Sequence, residues 1–195
     1  MAGLLVLLII AFFGYRIWTN IKNRNEGELA QAQFLNLSRN PPAFWGHKTF
    51  LHPRGINFIS LDNTRRQILI GYKLSKAALK LARLTDPAAL LISYKVLQFD
   101  DVIKTEMVMD GQTIVRDFTT LQTLTHYTPM REEYSKKYNY ISLKLMVNNV
   151  VKPAYEIVFY TKGIQSGTPA FAKKNCQDWQ DTLTVALRAT QPATS

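Results

Sequence analysis

The sequence predicts an α+β, mainly β protein: seven antiparallel strands capped by one C-terminal amphipathic helix, behind an N-terminal transmembrane helix. Three observations predict it. Residues 4–13 are almost purely Leu, Ile, Val and Phe. From about residue 48 the apolar residues alternate, with turn-forming residues between the runs. After residue 168 they recur at helical spacing. The chain has 195 residues, one domain's worth with a short appendage, and 47% of them are hydrophobic, which excludes disorder and collagen-like repetition. Lys and Arg number 24 against 14 Asp and Glu, a formal charge of +10. A single cysteine excludes an internal disulfide and a four-thiolate metal site.

Residues 1–15 carry no charge, and the apolar run continues through Ile17 and Trp18 with only Arg16 interrupting. Eighteen helical residues rise ~27 Å, close to the ~30 Å of a hydrocarbon layer. Arg16 can snorkel, and Trp18 suits the interface. The run has no polar face, which argues against a buried core helix. No basic residue precedes it and no small-x-small site follows, which argues against a cleaved signal peptide. Arg16, Lys22 and Arg24 all lie on its C-terminal side. The positive-inside rule then places the N-terminus outside and the body in the cytoplasm, at the inner (plasma) membrane. The lone Cys176 fits a reducing compartment. The expected organisation is an anchor over 1–19, a juxtamembrane linker over 20–46 and a folded body over 47–195. Within the linker, Leu29, Phe34 and Leu37 are spaced for a short helix, and Asn40-Pro41-Pro42 forms a turn.

The body reads as strands in order. Residues 56–61 and 67–73 form a hairpin across Asp62-Asn63-Thr64. A helix over 75–84 follows, with Leu74, Ala78 and Leu81 as its apolar stripe, and 92–99 is the third strand. Residues 102–109 and 112–118 meet across Asp110-Gly111, the strongest short hairpin signal. After a polar loop over 129–139, the run 140–147 places Ile141, Leu143, Leu145 and Val147 on one face. Asn148-Asn149 turns the chain into 154–161, where Tyr155, Ile157, Phe159 and Thr161 share a face. The last helix, 168–190, starts with Thr168 as N-cap and Pro169 at the first helical position. Phe171, Cys176, Trp179, Leu183 and Leu187 make its apolar stripe.

Two stretches and this strand order carry a family resemblance. Residues 56–71 (INFISLDNTRRQILIG) form a strand, an acidic turn and a returning strand. Residues 94–115 (YKVLQFDDVIKTEMVMDGQTIV) contain an aromatic-x-Asp stretch and an Asp-Gly hairpin. With the Trp179 helix, the body resembles bacterial pleckstrin-homology-like (PH-like) domains of unknown function. The resemblance covers roughly 56–190 and implies a seven-stranded barrel plugged by the last helix. It implies a module for lipid binding, peptide binding or scaffolding; the 75–84 helix departs from a minimal barrel.

Residues 63–85 hold six basic side chains (Arg65, Arg66, Lys73, Lys76, Lys80 and Arg83) and no acid. On a helix, Lys76, Lys80 and Arg83 form one edge. Such an edge is either a solvated face or a contact for anionic lipid or an acidic partner. Only Tyr72 interleaves it, too few aromatics to stack nucleic-acid bases, so no nucleic-acid partner is expected. Asp100-Asp101 reads as turn chemistry, because neighbours on a strand face opposite ways. His47 and His52 have opposite parity, and Cys176 lies on an inward stripe. Residues 163–168 (GIQSGT) lack the lysine of a phosphate-binding loop. No nucleophile, base and orienting group assemble, so neither an enzyme nor a cofactor or metal is expected. The expected function is a membrane-anchored binding or scaffold module with a protein partner at the cytoplasmic face. The alternative is anionic-lipid headgroup binding through 65–83.

Overall fold

A computed structural model describes residues 2–40, 44–116, 138–163 and 167–188. The polar loop before 138, the end of the 112–118 strand and residues 189–190 of the last helix lie outside the described residues, as do the side chains of 1–8. The body is α+β, with two antiparallel four-stranded sheets and a C-terminal helix. Helix α1 is Ala2–Ser38, and a two-residue pair, β1 (Arg39–Asn40) and β2 (Phe44–Trp45), follows it. The first sheet is a meander of β3 (Lys48–Leu51), β4 (Asn57–Asp62), β5 (Gln67–Lys73) and β6 (Ile92–Gln98). Helix α2 (Lys76–Thr85) bridges β5 and β6. A 3-10 turn, Phe99–Asp101, leads into β7 (Val102–Met109), β8 (Gln112–Arg116), β9 (Tyr140–Val147), β10 (Ala154–Thr161) and α3 (Pro169–Arg188).

The strands differ from expectation in two ways. Lys48–Leu51 is an eighth strand, too short to display a period of its own, and it pairs with β4 from Lys48↔Leu61 to Leu51↔Phe58. The second sheet runs β10-β9-β7-β8, so β9 returns beside β7 and leaves β8 at an edge. Among the described residues no strand pairing joins the two sheets, and they do not close into the expected barrel. The Asp110-Gly111 hairpin forms as the dipeptide demands: both residues have positive φ (47° and 83°), the geometry of a type I′ turn.

The larger correction concerns 20–46. These residues do not form a separate stalk. Helix α1 runs unbroken to Ser38, about 55 Å in all. Gly27, Ala30, Phe34 and Ser38, at helical spacing, are buried on one side of it. Phe34 stacks on Phe58 with ring centroids 4.9 Å apart, and Phe44, Leu69, Leu91 and Ile92 complete this cluster. Gly71 is what lets the Phe34 ring reach the sheet, since a Cβ there would meet that ring at 2.7 Å. Polar contacts hold the same segment in register. Gln31 Nε2 donates to the His52 carbonyl at 2.8 Å, and Leu91 N donates to Gln33 Oε1 at 2.8 Å.

Every residue of β4 is buried because α1 covers one face of the first sheet and the second sheet covers the other. Gly27 makes the closest approach, against the backbone of the 52–55 turn, where Gly55 takes φ 61°. A Cβ on Gly27 would sit 2.8 Å from the Arg54 carbonyl oxygen. Gly27→Ala is therefore expected to push α1 off this turn and lower stability by about 1–3 kcal/mol. Urea denaturation checks it. Gly14→Ala, whose Cβ meets nothing within 4 Å, is the control without that cost.

The main core lies between the sheets and α3. Ile59, Leu61, Ile68 and Ile70 meet Met107, Ile141, Leu143, Leu145 and Ile157 there, with Cys176, Trp179, Leu183 and Leu187 closing the open side. Phe171, expected on this stripe, is 65% exposed, and Ala172 takes the inward place. The five-residue gap between Phe171 and Cys176 put Phe171 off the face. Lys48 crosses to α3, donating to Thr182 Oγ1 at 2.6 Å and to the Asp178 carbonyl at 3.0 Å.

Candidate functional site

The six basic residues do not converge. Arg65 and Arg66 stand at the start of β5, and Lys73 at its end, ~23 Å away along an extended strand. The two arginines belong to the β4–β5 turn. Asp62 is fully buried there and accepts from Trp45 N (2.8 Å), Arg65 N (3.0 Å) and Arg65 Nη1 (3.1 Å). Burial alone would raise its pKa, but these donors together hold the carboxyl below its ordinary range. Arg66, at φ 57°, donates to Asp100 Oδ1 at 2.9 Å and gives its carbonyl to Phe99 N. Asp101 accepts from Gln98 N. The Asp100-Asp101 pair thus performs turn chemistry, as its spacing implied.

Of the other four, Lys73 and Lys76 stand near Glu26 on α1, and Lys80 and Arg83 follow along α2. Lys73 Nζ meets Glu26 Oε2 at 3.0 Å. The hydrogen bond from Lys73 is the main reason the Glu26 carboxyl lies below its ordinary pKa; burial opposes it, and the charges of Lys73, Lys76 and Lys22 assist. Lys76 opens α2, whose N-cap Ser75 accepts from Ala78 N at 3.2 Å. Among the described residues neither Lys80 nor Arg83 has an acidic partner. Helix α2 has no buried residue. Its expected apolar stripe divides: Leu74 and Ala78 are half-buried, and Leu81 is exposed. Ala78, Leu79 and Ala82 turn toward the body, while Leu81 and Leu84 are 68% and 75% exposed. Helical spacing alone cannot say which of two apolar edges meets the sheet.

A second surface lies at the opposite end of β5. An open groove of about 680 Å³ runs between α3 and the β4–β5 turn, lined by Arg66, Phe99, Asp181, Thr182, Val185 and Ala186. Val185 is 70% exposed on its wall. Phe99, Val185 and Ala186 give it an apolar lining, and Arg66 and Asp181 add charges of both signs. No sequence pattern announced it, because the groove joins residues more than a hundred positions apart.

The residues set aside from catalysis occupy structural places. Cys176 is fully buried, and burial pushes its thiol up to about 12. His47 lies by the β4–β5 turn, its Nδ1 accepting from Asn63 N at 3.2 Å, while His52 is buried beneath α1. Among the described residues no three His, Cys, Asp or Glu side chains converge as a metal site.

No protein-family model, curated protein or solved structure matches the chain. Its own geometry therefore carries the functional argument. Along the N-terminal half of α1, Ile9, Ile10, Phe12, Phe13, Tyr15, Ile17, Trp18 and Ile21 are all exposed, and no polar side chain falls between 9 and 14. Among the described residues no helix is long and apolar enough to cross a membrane; the side chains of 1–8, which carry much of the expected span, lie outside them.

Proposed function

We propose that the chain is a membrane-anchored scaffold module whose PH-like body presents the α3 groove to a protein partner at the cytoplasmic face. One observation carries the reading: a single unbroken helix has an apolar, exposed N-terminal half and a C-terminal half built into the body's core. An apolar stretch of helix standing in water without a polar face needs a cover, and a bilayer is one. The two sheets with α3 against them support an open, PH-like sandwich. The groove fits a short segment that offers an apolar side chain between Phe99 and Val185. The stiff connection through α1 holds that groove at a set distance from the membrane, which raises the effective concentration for a partner anchored in the same bilayer.

The test uses the full chain in its native membrane. A C-terminal reporter active only in the cytoplasm should be active, and carbonate washing should leave the protein in the membrane fraction. A photo-crosslinking residue at Val185 should trap a membrane-associated protein, while the same residue at Lys162, on the β10–α3 connection, should not. Release by carbonate or an inactive reporter would overturn the anchored cytoplasmic reading. Identical crosslinks from both positions would overturn the groove.

A further inference from the structure

We infer that α2 is a second membrane contact: it lies on an anionic bilayer with Leu81 and Leu84 in the headgroup–acyl boundary and Lys76, Lys80 and Arg83 on lipid phosphates. The inference rests on the anchored reading of α1 and adds to it a lipid-selective surface on the body. Three observations carry it.

First, α2 is a ten-residue helix with no buried side chain, yet two leucines stand on its outer face. A solvated connector gains only helix propensity from leucine there, whereas an interfacial helix needs an apolar edge beside basic residues. Leu81 and Leu84 are three apart, so they are neighbours on one face, and Lys80 stands beside them. Second, the charge is one-sided. No acid falls between residues 63 and 85, and neither Lys80 nor Arg83 is neutralised by an acidic neighbour among the described residues. Anionic phosphate is the complementary partner, and a multidentate protein site is not, because the basic side chains lie along an edge rather than around a cavity. Third, α1 acts as a ruler. Trp18, the aromatic residue at the expected interface, is eight residues from Glu26, ~12 Å along the axis. Glu26 pairs with Lys73 and feels the charge of Lys76 at the start of α2. Helix α2 starts near that level and is ~15 Å long, so a tilt of α1 that turns its outer face toward the bilayer is part of the inference.

Arg65 and Arg66 take no part. They are engaged with Asp62 and Asp100 at the far end of β5. The basic segment thus divides into a structural half and a lipid-facing half.

The experiment reconstitutes the full chain into nanodiscs of phosphatidylcholine with or without phosphatidylglycerol. An environment-sensitive thiol probe is placed at Leu84→Cys or, as a distal control, at Val185→Cys; the buried Cys176 stays unlabelled in the native protein. The probe at 84 should shift to the blue and be quenched by doxyl-labelled lipid in anionic discs, and the probe at 185 should not. Reversing Lys76, Lys80 and Arg83 to Glu should lower the docked-to-undocked ratio at 84 by more than about a hundredfold, the value expected from losing the three charges alone. The milder Lys→Gln and Arg→Gln set should lower it less, with the far-UV spectrum unchanged. A water-exposed probe at 84 in protein that copurifies with the discs would overturn the contact and leave the anchor standing. Equal quenching in neutral discs, or quenching that survives charge reversal, would overturn the phosphate contacts. Protein that fails to enter either disc would overturn the anchored reading itself.

Discussion

Phe34→Ala is expected to lower the stability of the full chain by about 3–5 kcal/mol. Phe34 is fully buried, stacks on Phe58 and lies over Gly71, so its removal opens a ring-sized void between α1 and the first sheet. The sheet and helix backbones are pinned by the Gln31 and Gln33 hydrogen bonds, which limits how far the void can collapse. The loss should appear as a lower urea midpoint in detergent micelles, with faster amide exchange across 27–38. Leu29→Ala is the matched control, because Leu29 is exposed on the same stretch and should shift stability by no more than about 0.5 kcal/mol. Equal effects of the two substitutions would show that α1 is not part of the fold, and that 20–46 is the linker its composition suggests.

The body should also be acid-labile through His52. Its ring is fully buried, and its Nδ1 accepts from Arg54 N at 3.1 Å. Burial, assisted by the charge of Arg54, lowers its pKa from 6.5 to about 4. The folded state therefore holds a neutral imidazole where the unfolded chain binds a proton. The contribution is fully present above pH 6.5 and falls progressively as pH drops toward 4, reaching about 3 kcal/mol in all. Asp62 has its carboxyl pKa depressed, so its contribution is lost only at lower pH, as the carboxylate is protonated. The two windows are separable by urea denaturation across pH 7 to 3. His52→Gln should remove most of the slope between 6.5 and 4 and leave the acid limb. A slope unchanged in that variant would show that another group drives the acid transition.

These two residues also mark how far the sequence could be read. Phe34 stands in a segment whose Asn, Gln and Glu content suggests a solvated stalk. The buried set Gly27, Ala30, Phe34 and Ser38 contains one large apolar residue and three small ones. Small residues mark a close approach of backbones, which no hydropathy pattern reports. His52 has nothing in its sequence neighbourhood to signal burial, since the covering helix arrives from twenty residues upstream. The candidate site was legible by composition alone: six basic residues without an acid between them are visible in the string. Their separation into two ends of β5 was not, because it depends on where the acids of other segments fall. Asp62, Asp100 and Glu26 are the partners that sort them.

By itself the sequence determined what depends on local spacing. The alternating runs specified strands from 56 to 161, Asp110-Gly111 specified a positive-φ turn, and Thr168-Pro169 specified the start of the last helix. It also determined that the first eighteen residues have no polar face. Tertiary structure alone decided that the two sheets stay open, that β9 returns beside β7, and that α1 continues into the core. It also decided which edge of α2 faces outward. The physical reason is the same in each case. Periodicity reports that a face is apolar, while the surface that covers it is assembled from segments far apart in the chain.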